Sequence, residues 1–513
     1  MDSKQYILSP LEAYTAAQKW RVVKRSVDAR QRELKVHLTI LTDDAGKPVA
    51  KDAPIPLYEP PVFQDVHNAS RSAIIIGAGP AGLFAALTLI EHGIKPIIYE
   101  RGKEVSERKK DIALLNRNEG LNPESNYCFG EGGAGTFSDG KLFSRSKKRG
   151  NMQRVMELFH FFGAPDTVLY EAHAHIGSDK LPSIIKNIRD CILSHGGEIH
   201  FNTKIESLST FNFQLSTTPI ILAIGHSAHD TYRMLAAEGV ALETKGFAMG
   251  VRAEHPQSLI NKLMYFKGRD YEITRSRDHE NIIKYIGNAS YSLVTQVDGR
   301  GVYSFCMCPG GHIVPAGSTP DTCVVNGMSA SHRNSPFANS GMVVQINPED
   351  IPGNDPLRGL EYQEALEQLA FMQASQISNI KYQISNSSAA PAQRMKDFVE
   401  SRPSKDLPPC SYLPGIVPSR LDLWLPPHIG KRLQQGFRDF DRKYPGFLTN
   451  DAVILGVESR SSSAVRIPRD PETLQSVSTP GLYPCGEGAG YAGGITSSAL
   501  DGINAALKIA ALA

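Results

Sequence analysis

Apolar positions along this chain fall into three textures, and each predicts a different kind of element. In residues 1–47, "LEAYTAAQKWRVVKRSVDARQ" has a mixed helical period and "LKVHLTILT" alternates, which predicts a small N-terminal α+β domain. Residues 48–70 begin with "PVAKDAPIPLYEPPVFQD", where five prolines remove backbone donors and restrict their neighbours, so an extended linker is expected. From residue 71 the texture changes abruptly. Ile74, Ile75 and Ile76 form the continuous apolar run of a buried parallel strand. "LFAALTLIEHG" reads as a helix closed by Gly93, and "KPIIYE" as the next strand. Ser178 or Asp179 is the expected cap of a helix ending at "SHGG"; "EIHFNTKIESL" alternates as a strand, and "PIILAIGHS" is a further buried strand.

Residues 243–447 look different again, with alternating strands such as "FAMGVRAE", long polar loops and a helix at "LEYQEALEQLAFMQAS". "AVILGVE" (452–458) resumes the buried-strand style. The predicted architecture is α/β. One Rossmann-type domain is built from two segments, 71–242 and 448–513, around an inserted α+β domain at 243–447.

Three glycine motifs then sharpen the picture. The pattern G-x-G-x-x-G occurs at Gly77/Gly79/Gly82, Gly130/Gly132/Gly135 and Gly488/Gly490/Gly493. Only the first stands between a buried strand and a helix, with an acid, Glu100, ending the next strand, as a dinucleotide fingerprint requires. Gly77 permits the turn, Gly79 lets the backbone approach a pyrophosphate, and Gly82 lets helix and strand pack; Pro80 and Ala81 start the helix, whose free N–H groups face the phosphates. Glu100 is the expected acceptor for a ribose diol. The second motif follows "NPESNY", which is no strand, and too little chain follows the third for another complete unit. There is one dinucleotide site, and two glycine loops need another role.

Several strings resemble one family, the uncharacterised FAD-dependent dehydrogenases of bacteria, within the glutathione-reductase-like flavoprotein superfamily. They are "GAGPAGLFAA" with Glu100-Arg101, "GEGGAGTFSDGKL", "GGEIHFNTKI", "ILAIG", "NGMSASHRNSPFANSGMVV", "APAQRMKDF", "VESRSSSAVRIPRD" and "GEGAGYAGGITSSALDGI". The resemblance spans nearly the whole chain and implies FAD as cofactor. It implies that Gly132, Gly133 and Thr136 run along the ribityl chain and ring edge, with Ser138 and Lys141 nearby. It further places Arg101, Ile205, Ala223 and Gly225 at the cofactor, Gly486 and Glu487 at the ribityl hydroxyls, and Gly493, Gly494, Ile495 and Thr496 at the flavin edge.

Candidates for catalysis are fewer. His312 in "CPGGHIVPAG" reads as a proton donor or as a solvated loop histidine. Glu458, Arg460 and Arg466 follow a buried strand and suit a carboxylate or phosphate, or form a structural ion-pair network. Gln393 and Arg394 are pocket candidates of the same kind. His173 and His175 sit on one face of a strand, but no partner is spaced to complete a metal site.

Composition narrows the function classes. The chain has 513 residues, 41% of them hydrophobic, and a net charge of +2, so nothing global points to nucleic acid. Neither a membrane-length apolar run nor a signal-peptide core is apparent. Seven scattered cysteines without a C-x-x-C pair fit a reducing cytoplasm. Cys306 and Cys308 in "VYSFCMC" read as same-face core thiols, and dithiol chemistry is disfavoured because no cysteine pair follows the first glycine unit. The expected function is hydride transfer between FAD and a small organic substrate, with NAD(P)H or a partner reductase as candidate electron donor. Two alternatives stand beside it: an NAD(P)H-dependent flavin monooxygenase, and an RNA-directed flavoprotein using the basic first forty residues, which hold eight Lys/Arg against four Asp/Glu.

Overall fold

The continuous apolar runs assemble into one parallel sheet. In the computed structural model, which describes residues 2–30, 33–53, 58–143, 150–211, 218–266, 277–381 and 388–512, its strand order is Leu482–Pro484, Ile220–Leu222, Ser72–Ile76, Lys95–Tyr99 and Glu198–His200. Every neighbouring pair is parallel, with Ile74 opposite both Ile97 and Ile220. The helix Pro80–Glu91 is buried along Ala81–Ile90, as a helix apolar on all sides must be. It packs between the sheet and the C-terminal helix Ile495–Ala510. The two helix backbones touch: a Cβ on Gly502 would collide with the Ala81 carbonyl. The predicted FAD domain is therefore an α/β unit drawn from both ends of the chain.

A second, mostly antiparallel sheet holds seven strands, in the order Val294–Val297, Arg300–Cys308, Phe337–Ile346, Phe247–Pro256, Val453–Glu458, Ala390–Arg394 and Ile416–Pro418. Helix Pro427–Lys443 covers it with Leu433, Phe437 and Phe440. Here the structure corrects the sequence. Val453–Glu458 pairs with Phe247–Pro256 and Ala390–Arg394, so it belongs to this sheet and not to the FAD domain, where the boundary at 448 placed it. Its six residues are all buried, and an apolar run of that kind looks the same in either sheet. The chain crosses between the sheets at a short antiparallel pair, Glu243–Thr244 with Val465–Arg466.

Three smaller expectations also shift. The predicted strand from residue 198 stops at His200, because Asn202 turns left-handed at φ +54. The helix Leu181–Ser194 has no side-chain cap; Asp179 instead accepts from the Ser331 amide at 2.6 Å and its hydroxyl at 2.7 Å. In the N-terminal unit the helix covers only Pro10–Lys19, and "VVKRSVD" is a strand beside Lys35–Thr42. Residues 54–57 of the linker lie outside the described residues; farther on, Val66 is fully buried in the FAD-domain core. Arg21 and Arg25 of the basic N-terminal unit pair with Asp166 and Glu171, and Arg30 with Asp28, so part of that charge is taken up within the chain. Among the described residues no helix is long and apolar enough to cross a membrane.

Candidate functional site

The first glycine loop leaves the central strand where its neighbours end. Gly77 has φ +104, and a Cβ there would strike the Ala223 carbonyl; one on Gly82 would strike the Gly77 carbonyl. The helix that follows has Gly79 as N-cap and Pro80 in its first turn, with no side-chain cap and no acid in that turn. Some helices of this chain are closed, as where Ser9 and Glu12 form a capping box and Glu104 caps Val105–Asn116; this one is not. The start of Pro80–Glu91 leaves its first N–H groups to an external acceptor, and its dipole favours an anion.

Glu100 is buried, and its carboxylate is shared by three backbone amides. It accepts from Ala78 at 2.8 Å, Gly102 at 2.9 Å and Gly130 at 3.0 Å. The residue predicted to meet a ribose therefore also ties the first glycine loop to the second. Arg101, beside it, turns away: it forms a two-pronged bond to Asp230 at 2.9 and 2.8 Å, bonds Glu124 at 2.6 Å and stacks 4.1 Å over Phe129.

The second loop packs onto the first. The Gly132 amide donates to the Ala78 carbonyl at 2.8 Å, and a Cβ on Gly133 would sit 3.0 Å from the Gly79 Cα. Gly132 is left-handed at φ +78, and Thr136 folds over it, donating its hydroxyl to the Glu131 carbonyl at 2.9 Å. Thr136 and Ser138, which bonds the Gly135 carbonyl at 2.8 Å, thus brace the loop from within.

Arg108 holds this loop, and sequence reasoning missed it. Fully buried, it donates to the carbonyls of Asn126 (2.8 Å), Tyr127 (3.1 Å), Gly130 (3.2 Å), Glu131 (2.7 Å) and Gly133 (2.8 Å). Burial pushes its guanidinium down to about 10, while Glu100, Cys128 and Glu131 pull it back up. A signal was available: Arg108 lies on the buried stripe of its helix with Val105, Ile112 and Leu115, and a cation there needs acceptors. Glu131 is buried below it. Its carboxyl is pushed up to about 7 by burial, against bonds from the Val105 amide and Arg189.

The third loop closes the site from the other side. Its Gly486 amide donates to Asp501 at 2.7 Å, and Asp501 is gripped by Arg469 at 2.7 and 2.9 Å, a second pair the sequence did not reveal. Glu487 lies 3.5 Å from His226. Gly488 packs against Gly225, and the Tyr232 hydroxyl donates to the Gly488 carbonyl at 2.7 Å. Ala223, just past strand Ile220–Leu222, sets its carbonyl against Gly77, and Ile205 packs on the cluster that holds Ile74 and Ile76. The C-terminal helix again starts uncapped, with Gly494 as N-cap and no acid in its first turn. Gly493 and Gly494 are exposed, and a Cβ on either would meet nothing within 4 Å. Ile495 packs on Gly135, and Thr496 donates to the Leu142 carbonyl at 2.7 Å, joining the third loop to the second.

All three loops and the uncapped helix starts at Gly79 and Gly494 thus belong to one cradle. The free N–H groups at the helix of the first loop suit the phosphates of an elongated anionic dinucleotide, and the last helix starts in open space at Gly493 and Gly494.

Of the four catalytic candidates only Arg466 borders the cradle, with its backbone against Gly490 of the third loop. Arg460 is not open to a substrate carboxylate, because Glu367 takes its fork at 2.9 and 2.7 Å and Ser318 takes its remaining nitrogen at 2.7 Å. Glu458 is buried against Arg252 at 2.9 Å, and burial pushes its carboxyl up to about 7. Arg466 is exposed, 5.7 Å over Tyr491, and His312 is exposed at the start of a hairpin, His312–Pro315 with Val325–Met328. Gln393 bonds Asp422 and the Arg402 carbonyl, and Arg394 bonds Asp406. His175 Nε2 lies 3.1 Å from the Ser331 carbonyl, and His173 packs on Phe143. Lys141 points across to the second sheet, toward Cys306 and Cys308.

Known proteins match this chain in the same regions. Residues 71–124 match a family described as an FAD binding domain, and residues 246–461 one described as FAD-dependent protein, C-terminal domain-like. An uncharacterised protein of Clostridium beijerinckii is 39% identical over 511 residues, covering 95% of this chain and 91% of the relative. Among solved structures, CtdE in complex with FAD and a substrate is 10% identical, with a TM-score of 0.29, over 86% of this chain and 80% of CtdE. The halogenase PltM is 13% identical, with a TM-score of 0.31, over 86% and 68%. Scores that low carry no inference about chemistry.

Proposed function

The chain belongs to one family with the Clostridium beijerinckii relative and itself carries two regions of FAD-dependent type, and from that premise we propose that it is a dehydrogenase or reductase passing a hydride between FAD and a small organic substrate. A place among glutathione-reductase-like flavoproteins goes with this reading. The observation that carries it is the single strand–glycine–helix–strand unit. Among the described residues the parallel sheet has one such unit ending in an acid, and the other two glycine loops fold onto it. That leaves no second complete unit for a dedicated nicotinamide domain.

FAD held in the cradle supplies two-electron hydride chemistry. The chain's own groups bind and polarise. The helix start at Pro80 receives the pyrophosphate, and Glu100 receives the ribose while holding both loops. Gly493, Gly494 and the first amides of Ile495–Ala510 favour negative charge on whatever part of the ring faces them, which favours its reduced form. Substrate would enter between the parallel sheet and the antiparallel one, at the carboxyl ends of the parallel strands. The scattered free cysteines support a reducing cytoplasm.

Anaerobic stopped-flow reduction tests the reading. NADPH alone is expected to reduce the flavin slowly, and a specific organic substrate or partner reductase much faster. Rapid reduction by NADPH, followed by a hydroxylated product on aeration, would assign the protein to the monooxygenases instead.

A further inference from the structure

Cys306 and Cys308 lie on strand Arg300–Cys308, where strict alternation would make them two ordinary core thiols. The strand does not alternate there. Its pairing with Phe337–Ile346 runs regularly to Phe305 opposite Gly341 and resumes only at Cys308 opposite Asn339. Cys306 falls in this bulge at φ +47, a left-handed conformation rare for a side-chain-bearing residue. Cys308 is fully buried and Cys306 half-buried. Both thiols meet one cation from the other domain: Lys141 Nζ lies 3.8 Å from the Cys306 sulfur and 3.6 Å from that of Cys308. The Lys141 side chain is 35% exposed and its Nζ also pairs with Asp139 at 3.2 Å, while Cys306 itself is part-exposed to solvent.

The surrounding charges point the same way. Arg252, fully buried, donates to the Cys306 carbonyl at 2.9 Å and lies 3.7 Å from the Cys308 sulfur. On its far side is Glu458, whose second oxygen is buried without a hydrogen-bond partner. The Cys306 thiol is pulled down by its bond with Cys308 and by Lys141 and Arg252, against burial. Cys323, buried without such a cation, is pushed up to about 12. A thiol beside cations and open on one side is the setting of a reactive cysteine. The site also abuts the cofactor cradle, since Leu142, next to Lys141, accepts the Thr496 hydroxyl.

We propose that Cys306 and Cys308 are a thiol–disulfide exchange site for a low-molecular-weight disulfide, with Cys306 attacking, Cys308 resolving and Lys141 holding the thiolate. The Cys306 thiolate attacks one sulfur of RS–SR. A bond forms between them, the S–S bond breaks, and RS⁻ leaves. Cys308, whose thiol is pushed up by its bond with Cys306 and by burial, gives its proton to solvent, attacks the Cys306 sulfur and expels the second RS⁻. The two protons of the cysteine thiols end, through solvent, on the two leaving thiolates. The protein dithiol is oxidised by two electrons to a disulfide, and RS–SR is reduced to two RSH. This chemistry is independent of the flavin reaction proposed above.

The test treats reduced, full-length holoprotein with 2-hydroxyethyl disulfide and follows intact mass, peptide mapping and flavin absorbance. Wild type is expected to lose two hydrogens, to keep five of its seven thiols alkylatable, and to carry a disulfide within the peptide holding residues 306 and 308. Cys308→Ser should trap one probe thiol on Cys306, and Cys306→Ser should abolish exchange. Lys141→Met should slow adduct formation on the order of tenfold at neutral pH and move its pH profile upward, with Lys141→Arg restoring it. The groups facing the pair, and so shaping that profile, are Lys141, Asp139, Arg252, Glu458 and Tyr291. Seven alkylatable thiols in treated wild type, or an unmoved profile in Lys141→Met, would overturn the proposal. Flavin absorbance in the same samples separates such a failure from failure of the cofactor site.

Discussion

Arg108→Met is expected to yield protein that retains little or no FAD and has lost about 3 kcal/mol or more of folding stability. The guanidinium donates to five carbonyls between Asn126 and Gly133, and methionine fills part of its volume while donating to none. Each buried carbonyl left without a donor costs about 1–3 kcal/mol, though relaxation keeps the sum well below five such terms. Glu100 and Glu131 lose a buried cation at the same time, although Arg189 stays on Glu131. The loop that lies against Gly79 is then held only by its remaining bonds, such as Thr136 to the Glu131 carbonyl, and the cradle opens. Urea unfolding and flavin absorbance of the purified variant measure both effects. Lys110→Met, on the exposed side of the same helix, is the control and should change neither. An Arg108 variant with wild-type flavin content would show that the loop is held some other way.

Glu100→Ala should have the second largest effect. A ribose acceptor alone would weaken FAD binding only. This carboxylate also accepts from the amides of Ala78, Gly102 and Gly130, so its loss should destabilise the chain without cofactor too, by about 2–5 kcal/mol. Comparing unfolding of wild type and variant after flavin removal separates the two roles. Equal stability of the two stripped proteins, with weaker FAD binding, would reduce Glu100 to a ribose ligand; equal FAD binding as well would remove it from the site.

What was legible in the sequence was local. The turn at Gly77–Gly82 is specified by backbone demands that only glycine meets, and Glu100 ends the strand beside it, so both stood out at a fixed spacing. Partners brought in from elsewhere in the chain were not legible. Arg108 shares the stripe of Val105, Ile112 and Leu115, but its five acceptors are supplied only by the fold. Arg460 offers a fork to a substrate until helix Arg358–Lys381 brings Glu367 to it. Val453–Glu458 was assigned to the wrong sheet because a fully buried run carries no mark of which sheet buries it. Cys306 and Cys308 looked like alternating core residues because a bulge is set by tertiary pairing, not by the residues that occupy it.

The claim on which the rest depends is that three glycine loops from distant parts of the chain form one cradle for FAD. Heat release of the cofactor from purified protein, followed by chromatography, tests it most directly. One FAD per chain is the expected result. FMN, or no flavin after reconstitution with FAD, would contradict it.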